Sequence, residues 1–378
     1  MTSSLLQTYN QYPLTITKGA GSYIWDATGK KYLDFYGGHA VCLIGHCPKP
    51  VVEAIKEQSE KLIFYSNVFA TEPSQILAQK LKETLLPHDY KAYFTNSGSE
   101  ANEAAIKIAR KHTGRNQIIS FQNSWHGRSI STLSVTGFKK QHSFSPNLLE
   151  HTHFAEFGSV ESVKKFMNKE TAAVILEPIQ SIGGINKAKQ RFYTELAEIC
   201  KQNGTLLIFD EVQTGIGRTG DWWFCQTVGV TPDIITTAKG LASGLPISVV
   251  LIEESISFNV KKGDHATTFG GGPVVCAAAK ATLDVITQEK DQADEKFQQI
   301  SKNLLALPQV KKVKGKGMLI GIEIGIEANL VVDKCRELGL IIGTSAQKNT
   351  VRLMPPITIS KEEITEFAKI FSQALTAL

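Results

Sequence analysis

The chain has 378 residues, of which 42% are hydrophobic, and a formal net charge of +5. That length and apolar content suit a soluble, folded protein with a large core, in two domains or one large domain with an appendage. The charge is mild and no block of five or more like charges occurs, so neither nucleic acid nor an acidic membrane is expected as a partner, although a basic excess suits small anionic ligands.

Met1 to Ile16 carries no Lys or Arg and no long apolar run. This resembles neither a secretory signal nor a transit peptide, and a cytoplasmic location is expected. Tyr23 to Phe35 reads as two short strands joined by a Gly-containing turn. Gly37-Gly38-His39-Ala40 and Gly45-His46 form a Gly-rich connection, Val51 to Leu62 has helical periodicity, and a second amphipathic helix begins near Pro73. The six cysteines lack a Cys-x-x-Cys spacing and lie in apolar surroundings, which points to reduced core thiols. His151 and His153 could share a strand face, but no third ligand follows at metal spacing, so both read as structural.

Tyr93 to Glu100 runs from a short strand into Ser-x-x-Glu and an Ala-rich helix, Ala101 to Lys111. Ser97 and Glu100 fit a capping box. Gly98 and Ser99 would then stand at a helix start, where free N–H groups and the positive dipole end can seat a phosphate, although most such boxes bind nothing. Gln117 to Phe121 reads as a buried strand leading to a loop with Trp125 and Arg128. Thr171 to Glu177 is another, followed by Pro178-Ile179-Gln180-Ser181-Ile182-Gly183-Gly184.

Thr205 to Phe209 is an apolar run that ends in Asp210-Glu211-Val212-Gln213, which places Asp210 at the C-terminal mouth of a buried strand, where open α/β sheets bind ligands. Lys239 follows a second apolar run, 233–237, among small residues. A buried carboxylate with a Schiff-base-capable Lys is the pair a pyridoxal phosphate enzyme needs: Lys239 carries the aldehyde and Asp210 keeps the pyridine nitrogen protonated. Gly215-Ile216-Gly217-Arg218-Thr219-Gly220 matches a dinucleotide fingerprint, but the glycines do not directly follow a strand or open an amphipathic helix, so it reads as a loop. Beyond the Gly-rich stretch 265–273, the expected order is helix Pro273 onward, helix Gln288 to Leu305, strand Gly317 to Ile324, helix Leu330 to Leu338, strand Leu340 to Gly343, strand Val351 to Leu353 and a final helix from Lys361.

Asp-Glu-Val-Gln at 210–213, Thr-Gly-Ile-Gly-Arg-Thr-Gly at 214–220 and Thr-Ala-Lys-Gly-Leu-Ala-Ser-Gly-Leu-Pro at 237–246 resemble, in order and over nearly the whole chain, the class III aminotransferases of fold type I, and within them the acetylornithine and ornithine aminotransferase branch. The resemblance implies an α/β fold with a mainly parallel sheet in a large domain (51–275), a small α/β C-terminal domain (276–378), and an N-terminal segment (1–50) packing on the latter. It implies pyridoxal 5'-phosphate as cofactor, held by Gly98, Ser99, Trp125, Asp210, Val212, Gln213, Lys239 and Thr268. Trp125 and Val212 would take opposite faces of the ring, Gln213 the ring oxygen, and Thr268 the phosphate of a neighbouring subunit. A homodimer with shared active sites follows from that last role. Arg128, Thr267 and Arg352 would bind substrate, the two arginines through carboxylates; without the resemblance, Trp125 reads as a loop anchor and Arg352 as half of a surface ion pair. The activity implied is transfer of the δ-amino group of an N2-acylated ornithine, acetyl before succinyl, to 2-oxoglutarate, with ornithine or another ω-amino acid as the alternative donor, and an aminomutase or a non-catalytic binding protein of the same fold as more distant alternatives. Ser181-Ile182 departs from the Gly-Glu that the family commonly carries, and Ile182 leaves space for a larger acyl group.

Overall fold

The computed structural model describes residues 4–138 and 150–378. Its centre is a seven-stranded sheet. In spatial order the strands are Tyr90–Thr95, Ser248–Glu253, Ile234–Thr237, Leu206–Asp210, Thr171–Leu176, Gln117–Phe121 and Thr152–Ala155. Only Ser248–Glu253 runs against its neighbours, so the sheet is mainly parallel.

Alternation along these strands explains why the sheet is covered on both faces. Leu206 and Ile208 point to one side, against Ala101, Ala104, Ala105 and Ile108 of the helix Gly98–Thr113. Leu207 and Phe209 point to the other, into a larger core with Phe192, Tyr193 and Leu196 of the helix Gln190–Asn203. The small alanines of the first helix allow its close approach to the sheet. Both faces being apolar, the strands read as unbroken hydrophobic runs.

A second sheet, wholly antiparallel, takes its strands in the order Val310–Lys316, Leu319–Ile324, Thr350–Leu353 and Gly343–Thr344. The helices Ala293–Leu305, Ala328–Glu337 and Lys361–Thr376 belong to the same C-terminal part. The N-terminal strands Ile16–Ala20, Tyr23–Asp26 and Lys31–Asp34 form a third sheet, which Leu340–Ile341 joins in parallel.

Three expectations change. The helix expected from Gln288 starts at Ala293, because the preceding helix continues to Glu289 and a 3-10 turn joins them. The stretch Leu340 to Gly343 is two strands in different sheets, divided at Ile342. Of the cysteines, four are buried, but Cys42 is half-buried and Cys47 exposed.

Candidate active site

The chemistry-bearing residues sit where parallel strands end. Asp210 is the last residue of its strand, Glu177 follows the 171–176 strand, the loop with Trp125 and His126 follows the 117–121 strand, and Lys239 follows the 234–237 strand. All of them line one cavity of about 1140 Å³. Lys239 opens a 3-10 turn with its backbone in the left-handed region, φ 43°. A non-glycine residue held there is strained, and such strain collects at functional positions. Gly240 next to it is required by close packing, since a Cβ there would lie 2.8 Å from Leu43 Cβ.

Asp210 is fixed on every side. Its Oδ2 accepts from His126 Nδ1 at 2.7 Å and from Asn102 Nδ2 at 2.7 Å, and its Oδ1 accepts from the Val212 amide at 3.1 Å. Asn102 also donates to the His126 carbonyl and accepts from Thr236 Oγ1 at 2.6 Å. His126 Nε2 is buried with no hydrogen-bond partner among the described residues. Burial lowers Lys239 to about 8, against the opposing pull of the Asp210 and Glu177 charges, so its amine gives up a proton far more readily than an exposed lysine. Burial likewise pushes Glu177 up to about 7, while its oxygens accept from the Trp125 and Ser181 amides at 2.8 and 3.2 Å.

A different wall offers an anion seat. Gly98 and Ser99 open the helix Gly98–Thr113, and their amides are among the helix-start donors that intrahelical bonding leaves free. The cap differs from the expected reciprocal box: Ser97 Oγ accepts from the Glu100 amide at 3.3 Å, but Glu100 reaches back to the amide of Asn96, at 3.0 Å, rather than that of Ser97. The Ser99 hydroxyl turns into a cluster with Ser129 and Thr132 at 2.9 and 3.0 Å. Gly127 borders this cluster with φ 137°, and a Cβ there would lie 2.4 Å from Ser99 Oγ. Val212, Trp125 and Arg128 complete the wall, the Arg128 guanidinium lying 5.0 Å from the centre of the Trp125 ring.

The third wall carries a buried cation. Arg352 donates through Nε to the Thr344 carbonyl at 2.6 Å and through Nη1 to Ser181 Oγ at 3.0 Å. Among the described residues no carboxylate lies within ion-pair distance of it. Beside it the segment Gly37 to Ala40 forms a left-handed turn, with φ between 56° and 69° at all four residues. His39 and Ala40 accept that cost without being glycine. The turn presents His39 to the cavity, hydrogen-bonded through Nδ1 to the Tyr36 hydroxyl. Burial, with Arg352 and Lys239 nearby, lowers His39 to about 4.

An amine and a carboxylate opening on one cavity, above a helix start and beside an unneutralised guanidinium, is the geometry expected of amino-group transfer. The aminotransferase class-III family profile matches residues 6–375. The chain belongs to the class-III aminotransferases. It is 41% identical to the acetylornithine aminotransferase of Oceanobacillus iheyensis over 376 residues, covering 96% of this chain and 94% of that one. It is 40% identical to the acetylornithine aminotransferase of Methanosarcina mazei, covering 98% and 94%. Among solved structures, the ornithine aminotransferase of Toxoplasma gondii, with partial occupancy of PLP at its active site, superposes with a TM-score of 0.92 at 29% identity, covering 99% of this chain and 92% of that one.

For this class-III aminotransferase the cavity gathers Lys239, Asp210, Gly98, Ser99, Trp125, Val212, Gln213, Arg128 and Arg352. Thr267 and Thr268 do not line it. Thr267 instead takes bonds from Asn96 and Asn67, and Thr268 is exposed. Sequence reasoning missed Asn102, His126, Glu177 and His39. Asn102 left one signal, a polar residue within the apolar stripe of its helix. The loop 215–220 contributes Arg218, which is buried and donates to the carbonyls of Ala40, Met318 and Pro355. No helix among the described residues is long and apolar enough to cross a membrane.

Proposed function

We propose that this chain is a pyridoxal 5'-phosphate-dependent aminotransferase that moves the δ-amino group of an N2-acylated ornithine to 2-oxoglutarate, giving glutamate and the N-acyl-glutamate semialdehyde. The observation that carries the reading is that Lys239 and Asp210 open on one cavity and the Asp210 charge acts on the Lys239 amine. The residues present fit such a cofactor: free amides at Gly98 and Ser99 for its phosphate, Val212 and Trp125 for its ring, and Gln213 for its ring oxygen. When bound, the group supplies an aldehyde for amine exchange and an electron-withdrawing ring.

Lys239 would hold the cofactor's aldehyde carbon and, with its amine freed, would serve as the base and then the acid that carries a proton from the carbon bearing the substrate amine to that cofactor carbon. Asp210 would keep the ring nitrogen protonated, its carboxylate held in place by the bonds from Asn102 and His126. Arg352 and Arg128 orient substrates through their carboxylates. Ser181 and Ile182, where the resemblance implies Gly-Glu, give Arg352 no ion-pair partner from this segment. This favours a second reading, in which a donor other than acetylornithine, such as the succinyl compound, is preferred.

We further propose a homodimer with shared sites. Phe64, Tyr65, Val68, Phe69 and Phe269 are exposed together next to Thr268, an apolar ridge suited to a second copy of the chain. The test of the reaction is a half-reaction panel with acetyl-, succinyl- and unacylated ornithine, followed by bleaching of the cofactor absorbance. Equal rates with all three would remove the acyl preference, and no bleaching by any amine would remove the reaction.

A further inference from the structure

The roles above leave one buried hydroxyl unused. Ser181 is fully buried, and its Oγ stands between two groups of the site: Arg352 Nη1 donates to it at 3.0 Å, and it donates to Gln213 Oε1 at 2.8 Å. A serine hydroxyl has one proton, so accepting from an arginine, which cannot accept in return, commits that proton to Gln213. Gln213 Oε1 is thereby occupied, and its amide NH2 is the end left for the cavity that the residue lines. Arg352, anchored at Nε by Thr344 and at Nη1 by Ser181, keeps its remaining N–H groups for a ligand. Ser181 is itself held by the bond from its amide to Glu177 Oε2 at 3.2 Å. Its neighbour Ile182 is fixed by the bond from the Ala346 amide to the Ile182 carbonyl at 2.8 Å.

We infer that Ser181 is a positioning residue that couples the carboxylate-binding arginine to the cofactor-facing glutamine, so that filling Arg352 with a substrate carboxylate is felt at the cofactor ring through one hydroxyl. The inference rests on the proposed function, in which Arg352 takes a carboxylate and Gln213 the ring oxygen. One side chain therefore does two things here: it selects which end of the Gln213 amide meets the ring, and it holds the guanidinium fork ready for a planar anion.

The experiment uses the cofactor-loaded enzyme and glutarate, an unreactive five-carbon dicarboxylate, as probe. In the wild type, glutarate shifts the cofactor absorbance and a dissociation constant follows from the titration. Ser181→Ala is expected to weaken glutarate binding roughly ten-fold, the loss of a hydrogen bond to a charged group, to shrink the absorbance shift at saturation, and to alter the spectrum before glutarate is added. Ser181→Thr, which keeps a hydroxyl, is expected to restore both the affinity and the shift. An unchanged dissociation constant and shift in Ser181→Ala would overturn the inference, as would a loss that Ser181→Thr shares in full, since that marks a packing effect alone. A cofactor absorbance in the wild type that does not respond to glutarate would likewise overturn the inference, whereas a wild type with no cofactor absorbance would overturn the proposed function on which it stands.

Discussion

Replacing Asn102 by alanine should be among the most damaging single changes in the cavity floor, although Asn102 touches no solvent and bears no charge. The side chain is 1% exposed and makes three hydrogen bonds: to Asp210 Oδ2 at 2.7 Å, to the His126 carbonyl at 2.8 Å, and from Thr236 Oγ1 at 2.6 Å. The first involves a carboxylate and is worth about 1.5–3 kcal/mol, and the two neutral bonds contribute about 1 kcal/mol each. The expected loss is therefore about 3.5–5 kcal/mol, a large fraction of the stability of a typical domain. Urea unfolding of the cofactor-free protein, wild type against Asn102→Ala, measures it directly. Asn102→Asp gives a contrast, because it keeps the acceptor for Thr236 but sets a second carboxylate against Asp210, and two such groups share a proton rather than both ionise. A loss below about 1 kcal/mol in Asn102→Ala would refute the reasoning, since it would mean that water or His126 alone holds Asp210 equally well.

Lys239 gives the cofactor-free protein a pH signature: its folded value of about 8 lies below the ordinary lysine value of 10.5, so between those limits the unfolded chain binds the extra proton and stability rises with pH, by about 3 kcal/mol at most. That rise should vanish in Lys239→Met, as read from unfolding curves at pH 7.5 and 10.5. Arg352→Gln should raise KM for glutamate and 2-oxoglutarate about 10- to 100-fold with a smaller change in kcat, through loss of charge-assisted bonds to a carboxylate; steady-state kinetics decide it. Gly127→Ala should release the cofactor on dialysis, followed by absorbance, because its Cβ would meet Ser99 Oγ at 2.4 Å and Thr132 Oγ1 at 2.7 Å. Gly114→Ala, also at positive φ but with nothing within 4 Å, should cost about 1 kcal/mol of stability and leave cofactor retention intact.

The central sheet was legible because strands covered on both faces are unbroken apolar runs, and because an apolar run that stops at Asp210 marks the edge where ligands bind. The helix at Gly98 was legible from Ser97 and Glu100. The strand Val310–Lys316 was not: only Val310 and Val313 are apolar there, and its lysines belong to an edge strand whose exposed side keeps other chains from pairing with it. The left-handed turn at 37–40 was hidden because two glycines announce a loop but do not reveal that His39 and Ala40 share their backbone geometry. Asn102, His126 and the bonding role of Ser181 escaped for a common reason. Their partners lie between 24 and 171 positions away in the chain, and only the assembled fold brings such pairs together.

Arg218 bears on how this protein can move. It is still cationic at neutral pH, its value lowered to about 9 by burial, and the acceptors in its grip are main-chain oxygens contributed by the left-handed turn at Ala40 and by the C-terminal part at Met318 and Pro355. Those three stretches are thus riveted to a single guanidinium. Any tilt of the C-terminal sheet, which carries Arg352, must take the turn that presents His39 to the cavity with it, so the imidazole and the guanidinium travel as one lever.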